Sequence, residues 1–453
     1  MTAPIERASA NDLMHLTYDR GPCPVQVGAV LRFEAGTPLE VERLRSVFAE
    51  RVPAVPRLRQ RLTRVPLGCG RPVWVDDPAF NITNHVTTIA CPSPGGERAL
   101  LDLAAALVTT PLPADRPPWS AVLVTGCPQD RPALVMVLHH VLTDGTGALA
   151  VLACLVDGGQ LAECPEDTPD STFPRPAPSR FSLAAEALRG RALGALRAWR
   201  LLPRLYHAAV ELRVLRLSRT RRCSLNTPTG PRRTLALARC DLASARTAAR
   251  AAGGTVNDVL LTAVTGALGA LLRDRGEVVD RLTASVLVSG RLRGRARQLD
   301  NQIGVILATL PTTGDQDPDA PDPAARLRRT AEITRARRAR VRGASATVVE
   351  PLFRWLSALG LATWFFTHQR RVSMFVTTLR GPARPLALLG RTIEELVPVS
   401  GTAGNVTVAF AALSYAGSLT VTIVADTDAC PDVQDLATHL RAELDRLVTV
   451  PAR

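Results

Sequence analysis

Two short runs, β-branched or continuously apolar, Ala121 to Thr125 and Ala133 to Leu138, stand out along the chain, each bounded by Gly, Pro or Asp. Runs of that length without alternation fit strands buried on both faces. Past the second run, Thr146 to Val156 is apolar over a stretch long enough for a helix. The residues between, His139 to Gly145, therefore sit at a strand end just before a helix start, where open α/β sheets place their ligands. Upstream, Val25 to Phe33 reads as a strand. Thr37, Pro38 and Glu40 read as a capping box, with proline at the first helical position.

The pattern changes between Cys164 and Arg180, where Pro165, Pro169, Pro174, Pro176 and Pro178 crowd together with Asp and Ser. That composition marks a linker. Ser182 to Leu217 follows as a Leu- and Ala-rich helical stretch carrying Arg189, Arg191, Arg197, Arg200, Arg204, Arg213 and Arg216. A strand (Thr234 to Ala238), a helix from Ala243 and a second capping box, Thr255-x-x-Asp258, then open an apolar helix reaching Leu272. A Pro- and Asp-rich loop (Asp315 to Asp322) precedes a basic helix, and the last hundred or so residues alternate strands before an amphipathic helix from Asp432 to Leu447. The fold class is α/β, divided as 1–165, a linker with basic helix over 166–225, and 226–453.

Composition narrows the function. Apolar residues at 46% and charged residues at 21% suit a chain that folds. The net charge of +14 favours polyanionic partners: anionic lipid, coenzyme A phosphates or an acidic carrier protein. Aromatics at 4% are too sparse for a base-stacking surface, so nucleic acid is not expected. The nine scattered cysteines include no Cys-x-x-Cys pair, which argues for reduced thiols and against a metal site. Leu352 to Phe366, the most apolar long segment, contains Arg354 and is too short to span a bilayer. No leader is apparent, and the expected location is the cytoplasm, with the inner membrane face as a peripheral site.

His139-His140-x-x-x-Asp144-Gly145 carries the chemistry. A neutral imidazole can take the proton of a hydroxyl or amine near neutral pH. Side chains alternate along a strand, so only one of the two histidines can enter a given cleft, and the other is structural. Asp144 can hold the turn by accepting backbone N–H bonds or by pairing with an arginine, and Gly145 permits close approach. His15, His85, His207, His368 and His439 read as surface or satisfied core residues.

The HHxxxDG string resembles the wax ester synthase/diacylglycerol acyltransferase family, within the superfamily of chloramphenicol acetyltransferases and condensation domains. The likeness extends to Arg116-Pro117-Pro118-Trp119, Asn257-Asp258, Gly381-Pro382, Pro398-Val399-Ser400, Leu413-Ser414-Tyr415-Ala416-Gly417 and Val424-Ala425-Asp426 in the same order. It implies two chloramphenicol-acetyltransferase-like domains, with mixed sheets flanked by helices and a substrate tunnel between them. By position it makes His140 the base and gives His139, Asp144 and Gly145 organising roles. It places Asn257, Asp258 and Trp119 against substrate, and implies acyl-CoA as co-substrate with no further cofactor. Asn257-Asp258 also reads simply as part of a helix cap, and Trp119 as a packed aromatic.

The chain departs from the family at Thr377-Thr378-Leu379-Arg380, before Gly381-Pro382. It departs again at Ala409, where the family carries an asparagine that Asn405 could replace. Three functions follow. The first is acyl transfer from acyl-CoA to a long-chain alcohol or diacylglycerol, with the basic helix 182–216 meeting a membrane or lipid droplet. The second is O- or N-acylation of a specialised metabolite from acyl-CoA or an acyl carrier protein. The third is a non-catalytic membrane- or carrier-binding scaffold.

Overall fold

A computed structural model describes residues 5–9, 12–13, 15–16, 19, 21–158, 173–197, 223–289, 303–312, 323–340 and 362–449. The first half follows the sequence pattern closely. Strand β1 (Gln26–Phe33) leads through helix α1 (Val41–Arg51) to a hairpin of β2 (Gln60–Thr63) and β3 (Val73–Asp76). Then come β4 (Val86–Ala90), α2 (Gly96–Thr109), β5 (Trp119–Thr125), β6 (Ala133–His139) and α3 (Gly145–Leu155). Every residue of β6 is buried, as its unbroken apolar run requires.

The capping box at Thr37 does not form. Helix α1 begins only at Val41, its N-cap is Glu40, and no side chain caps it. Thr37 is occupied otherwise: its carbonyl accepts from Arg391 Nη2, and the same guanidinium donates to the Glu34 carbonyl at 2.7 Å. A contact from hundreds of residues away overrides the local signal.

Helix α4 (Arg180–Arg197) is the described part of the basic stretch; Arg200, Arg204, Arg213 and Arg216 lie outside the described residues, as do residues 159–172 of the linker. The second half runs β7 (Arg233–Asp241), α5 (Leu242–Ala251), α6 (Val256–Asp274), β8 (Arg281–Ser289), β9 (Ile303–Pro311), α7 (Pro323–Arg340) and α8 (Ala362–Thr367). It ends with β10 (Met374–Arg380), β11 (Ala387–Leu388), β12 (Arg391–Val399), β13 (Val408–Tyr415), β14 (Ser418–Asp426) and α9 (Val433–Thr449). Among the described residues, α6 is the one helix long and apolar enough to cross a membrane, and most of it lies in the core. Of the described cysteines, Cys154 is disulfide-bonded, which corrects the expectation of thiols throughout.

Two six-stranded mixed sheets form the frame, ordered β11-β12-β1-β6-β5-β4 and β7-β14-β13-β10-β8-β9. All six strands of the second sheet come from residues after 226, whereas the first sheet draws strands from both sides of that position. β11 and β12, from the second half, complete the first sheet, with β12 antiparallel to β1 from Gly28↔Val399 to Phe33↔Ile393. The reason is physical: β1 lies inside the sheet with no exposed residue and needs a hydrogen-bonding partner on both edges, and β6 fills only one. Tyr415 fastens the crossing. Its hydroxyl donates to the Ile393 carbonyl at 2.8 Å and accepts from the Leu386 N–H at 2.7 Å.

The halves share a core of Val30, Val135, Val137, Leu235, Leu237, Val397 and Val424, with α2 packed against it. Above it Arg239, from β7, grips Glu395 and Glu97, and Arg32 grips the same two carboxylates. Burial works against the Glu395 carboxylate, but Arg239 and Arg32 outweigh it and hold its pKa below the ordinary value.

Candidate active site

β6 delivers the two histidines at its C-terminal end, and the backbone there is tied on both sides. The His139 N–H donates to the Pro118 carbonyl at 3.0 Å and the His140 N–H to the Val25 carbonyl at 2.9 Å. The alternation expected of a strand separates their side chains: His139 is buried, whereas His140 keeps some exposure.

The bonds of His139 fix its tautomer. Nδ1 accepts from the Val141 N–H at 3.0 Å, which puts the proton on Nε2, 3.3 Å from Asp19 Oδ1. With its free lone pair used by the backbone, His139 has no base to offer. Asp19 also accepts from the Val25 N–H at 2.9 Å. Burial alone would raise its pKa, but the bonds from His139 and Val25 prevail and hold it below the usual carboxylate value.

Burial lowers the pKa of His140 and His139 lowers it further, against the upward pull of a bond to its own backbone, of Asp144 and of Asp12. The ring is therefore neutral at pH 7 and able to accept a proton. Asp144 takes the first of the roles expected for it. It is the N-cap of α3, and Oδ1 accepts the Gly147 N–H at 2.8 Å, setting the turn between strand and helix. Gly145 allows close approach, since a Cβ there would lie 3.2 Å from the Leu379 methyl groups of β10.

The other half brings Asn257 to the start of α6, partly exposed, where Thr378 Oγ1 on β10 donates to its Oδ1 at 2.8 Å. That bond takes up the Asn257 carbonyl oxygen and does not involve its NH₂ group. Asp258 is committed to structure: it accepts from the Thr255 N–H and hydroxyl, both at 2.8 Å, and from Thr334 Oγ1 of α7 at 2.7 Å. The helix-cap reading of Thr255-x-x-Asp258 is the one these bonds describe, and the Thr334 bond also anchors a neighbouring helix. Trp119 is likewise core. It is 2% exposed, its indole N–H donates to the Leu58 carbonyl at 2.8 Å, and its ring stacks on His85. Asn405 cannot stand in for a site asparagine, because its amide exchanges two bonds with Gln369.

Sequence reasoning missed two residues. Asp19 holds His139, and His15 stacks on His140 with ring centroids 4.0 Å apart. Both lie in an N-terminal segment whose sequence carries no periodicity, and no spacing relates them to β6. His85, by contrast, is the satisfied core histidine expected, with Nδ1 2.9 Å from the Trp119 carbonyl.

A family model described as the wax ester synthase/diacylglycerol acyltransferase catalytic domain matches residues 9–260, and the WS/DGAT C-terminal domain matches residues 299–448. The chain belongs to the wax ester synthase/diacylglycerol acyltransferase family. It is an acyltransferase that moves an acyl group to a hydroxyl acceptor. A Mycobacterium tuberculosis protein named a probable diacylglycerol O-acyltransferase is 32% identical over 94% of this chain and 92% of its own length. The wax ester synthase/diacylglycerol acyltransferase of Marinobacter aquaeolei has the same fold, with a TM-score of 0.69 at 22% identity over 98% of both chains. The first condensation domain of the CDA synthetase aligns over 100% of this chain and 98% of its own, with a TM-score of 0.62 at 17% identity. The two-domain architecture implied by the HHxxxDG string is thus the one found, with the strand exchange through β12 added.

Proposed function

We propose that this acyltransferase uses His140 as the general base to move a fatty acyl group from acyl-CoA onto a long-chain alcohol or diacylglycerol. The single observation that carries the assignment is the contrast between the two histidines: the lone pair of His139 is used by the Val141 N–H, while His140 is partly exposed and held neutral. The His140 imidazole takes the hydroxyl proton as the acceptor oxygen attacks the thioester carbonyl. The tetrahedral adduct then collapses, the C–S bond breaks, and the thiolate recovers the proton from the imidazolium, leaving the ester and free coenzyme A. The NH₂ of Asn257, which the Thr378 bond does not use, suits polarising the thioester carbonyl. The reaction needs no cofactor beyond its co-substrate.

His140→Ala should lose roughly 10²–10⁴-fold in kcat with an unchanged melting temperature. Thiol release measured over a panel of acyl-CoAs and acceptors checks this, and near wild-type release would remove His140 from the role. The same panel, run with acyl carrier protein thioesters and amine acceptors, separates the lipid reading from acylation of a specialised metabolite.

Contact with an anionic membrane fits the described part of α4. Phe181, 88% exposed, and Leu188 share one side of this helix at i and i+7 beside exposed Arg189 and Arg191. A peripheral location on the inner membrane face, where an alcohol or diacylglycerol is available, follows from that reading.

A further inference from the structure

We infer that His15 is a positioning residue for His140: its imidazole, laid face to face on that of the base, fixes the ring plane and covers one face of it. The inference rests on the reading of His140 as base. The two rings are nearly parallel, 18° apart, with centroids at 4.0 Å. His15 is buried, and its Nε2 has no hydrogen-bond partner. No bond of its Nε2 holds the ring there, so its place is set by packing, of which the His140 face is one side.

The segment that presents His15 is held in place. The Ser9 N–H donates to Asp12 Oδ2 at 2.7 Å, the Asp12 N–H returns to Ser9 Oγ at 3.1 Å, and the Asp19 N–H donates to the His15 carbonyl at 2.9 Å. The same short stretch thus clamps both motif histidines, His139 through Asp19 and His140 through His15.

Among the described residues, the charged and titratable groups around the stacked pair are Asp12 and Asp19 from the N-terminal segment and His139 and Asp144 from the motif. Asp144 and Asp12 favour a proton on His140, and burial and His139 oppose it. Burial, then His140, then His139 push the pKa of His15 well below that of a free imidazole. A neutral His15 over the face of His140 excludes the water that would otherwise stabilise an imidazolium.

The test compares His15→Ala, His15→Phe and His15→Gln in the full chain. It reads kcat and KM, the pH profile of kcat/KM, and the NMR titration of the His140 ring. His15→Ala is expected to lower kcat roughly tenfold with little change in KM, as a loosened base would. Its acid limb and its His140 titration should both move up toward about 6.5. His15→Phe keeps a flat ring in place and should keep most of kcat, whereas His15→Gln should not. If His15→Ala does not fold, the Phe and Gln pair carries the test alone. Wild-type kcat with an unshifted His140 titration in His15→Ala or His15→Gln overturns the proposal. So does a loss in His15→Phe as large as in His15→Gln, or a wild-type His140 that titrates at the ordinary value. The NMR titration reads His140 whether or not it is the base, so an active His140→Ala enzyme would refute the catalytic reading separately.

Discussion

At the scale of single residues, the site depends on which lone pairs are already taken. His139 and His140 are neighbours of one type, and their surroundings give them opposite work. The Val141 N–H and the Asp19 carboxylate fix one ring completely, and burial holds the other neutral. Asp19→Ala removes the acceptor for His139 Nε2 and for the Val25 N–H, while the Val25 carbonyl itself holds the His140 backbone. A shift there should cost roughly tenfold or more in kcat and lower the melting temperature, read from steady-state kinetics and thermal denaturation. Because the pKa of Asp19 is depressed, its contribution to stability is present above about pH 4 and fades as pH falls through its folded value. Unaltered kinetics in Asp19→Ala would show that His139 needs no such partner. The HHxxxDG residues were legible because their spacing is local. Asp19 and His15 were not, because tertiary packing alone puts them against β6.

Elements show the same division between local and distant causes. β6, α3 and the capped start of α6 follow their sequence patterns because each pattern is complete within a dozen or so residues. The start of α1 does not, because Arg391 holds the Thr37 carbonyl. α4 belongs to this scale too. Leu183 is buried against Cys69 and Val73, and Arg7 donates to Glu186 and to the Leu183 carbonyl, which pins one face of the helix to the protein. The other face presents Phe181, Leu188 and Arg189. Replacing Arg189, Arg191 and Arg197 with Gln should weaken sedimentation with anionic vesicles at low salt, at roughly 1 kcal/mol per charge near the surface, and added salt should erase the difference. Equal sedimentation of variant and wild type at every salt concentration would make α4 an ordinary solvated helix.

For the whole molecule, the question is whether the two halves are separable units. The sequence divides at a Pro-rich stretch, which suggests that they are; the first sheet says otherwise, since β12 closes it from the far side. Pairing across such a distance leaves no trace in periodicity, which reports burial and not partners. Residues 1–225 expressed alone should therefore lack a cooperative melting transition, and co-expression with 226–453 should restore both the transition and thiol release. A folded, cooperatively melting 1–225 fragment would show that β12 is dispensable.

The strand exchange also sets a clock on the ribosome. β1 is among the first segments made, yet the edge that Arg391–Val399 will cover stays open until most of the chain has been translated. At about 5–20 residues per second, that interval lasts tens of seconds, with a buried apolar strand exposed to any neighbour able to add to it. A nascent chain in that state needs a holder, and heterologous hosts that translate or chaperone it differently should vary in soluble yield more than in the specific activity of what folds.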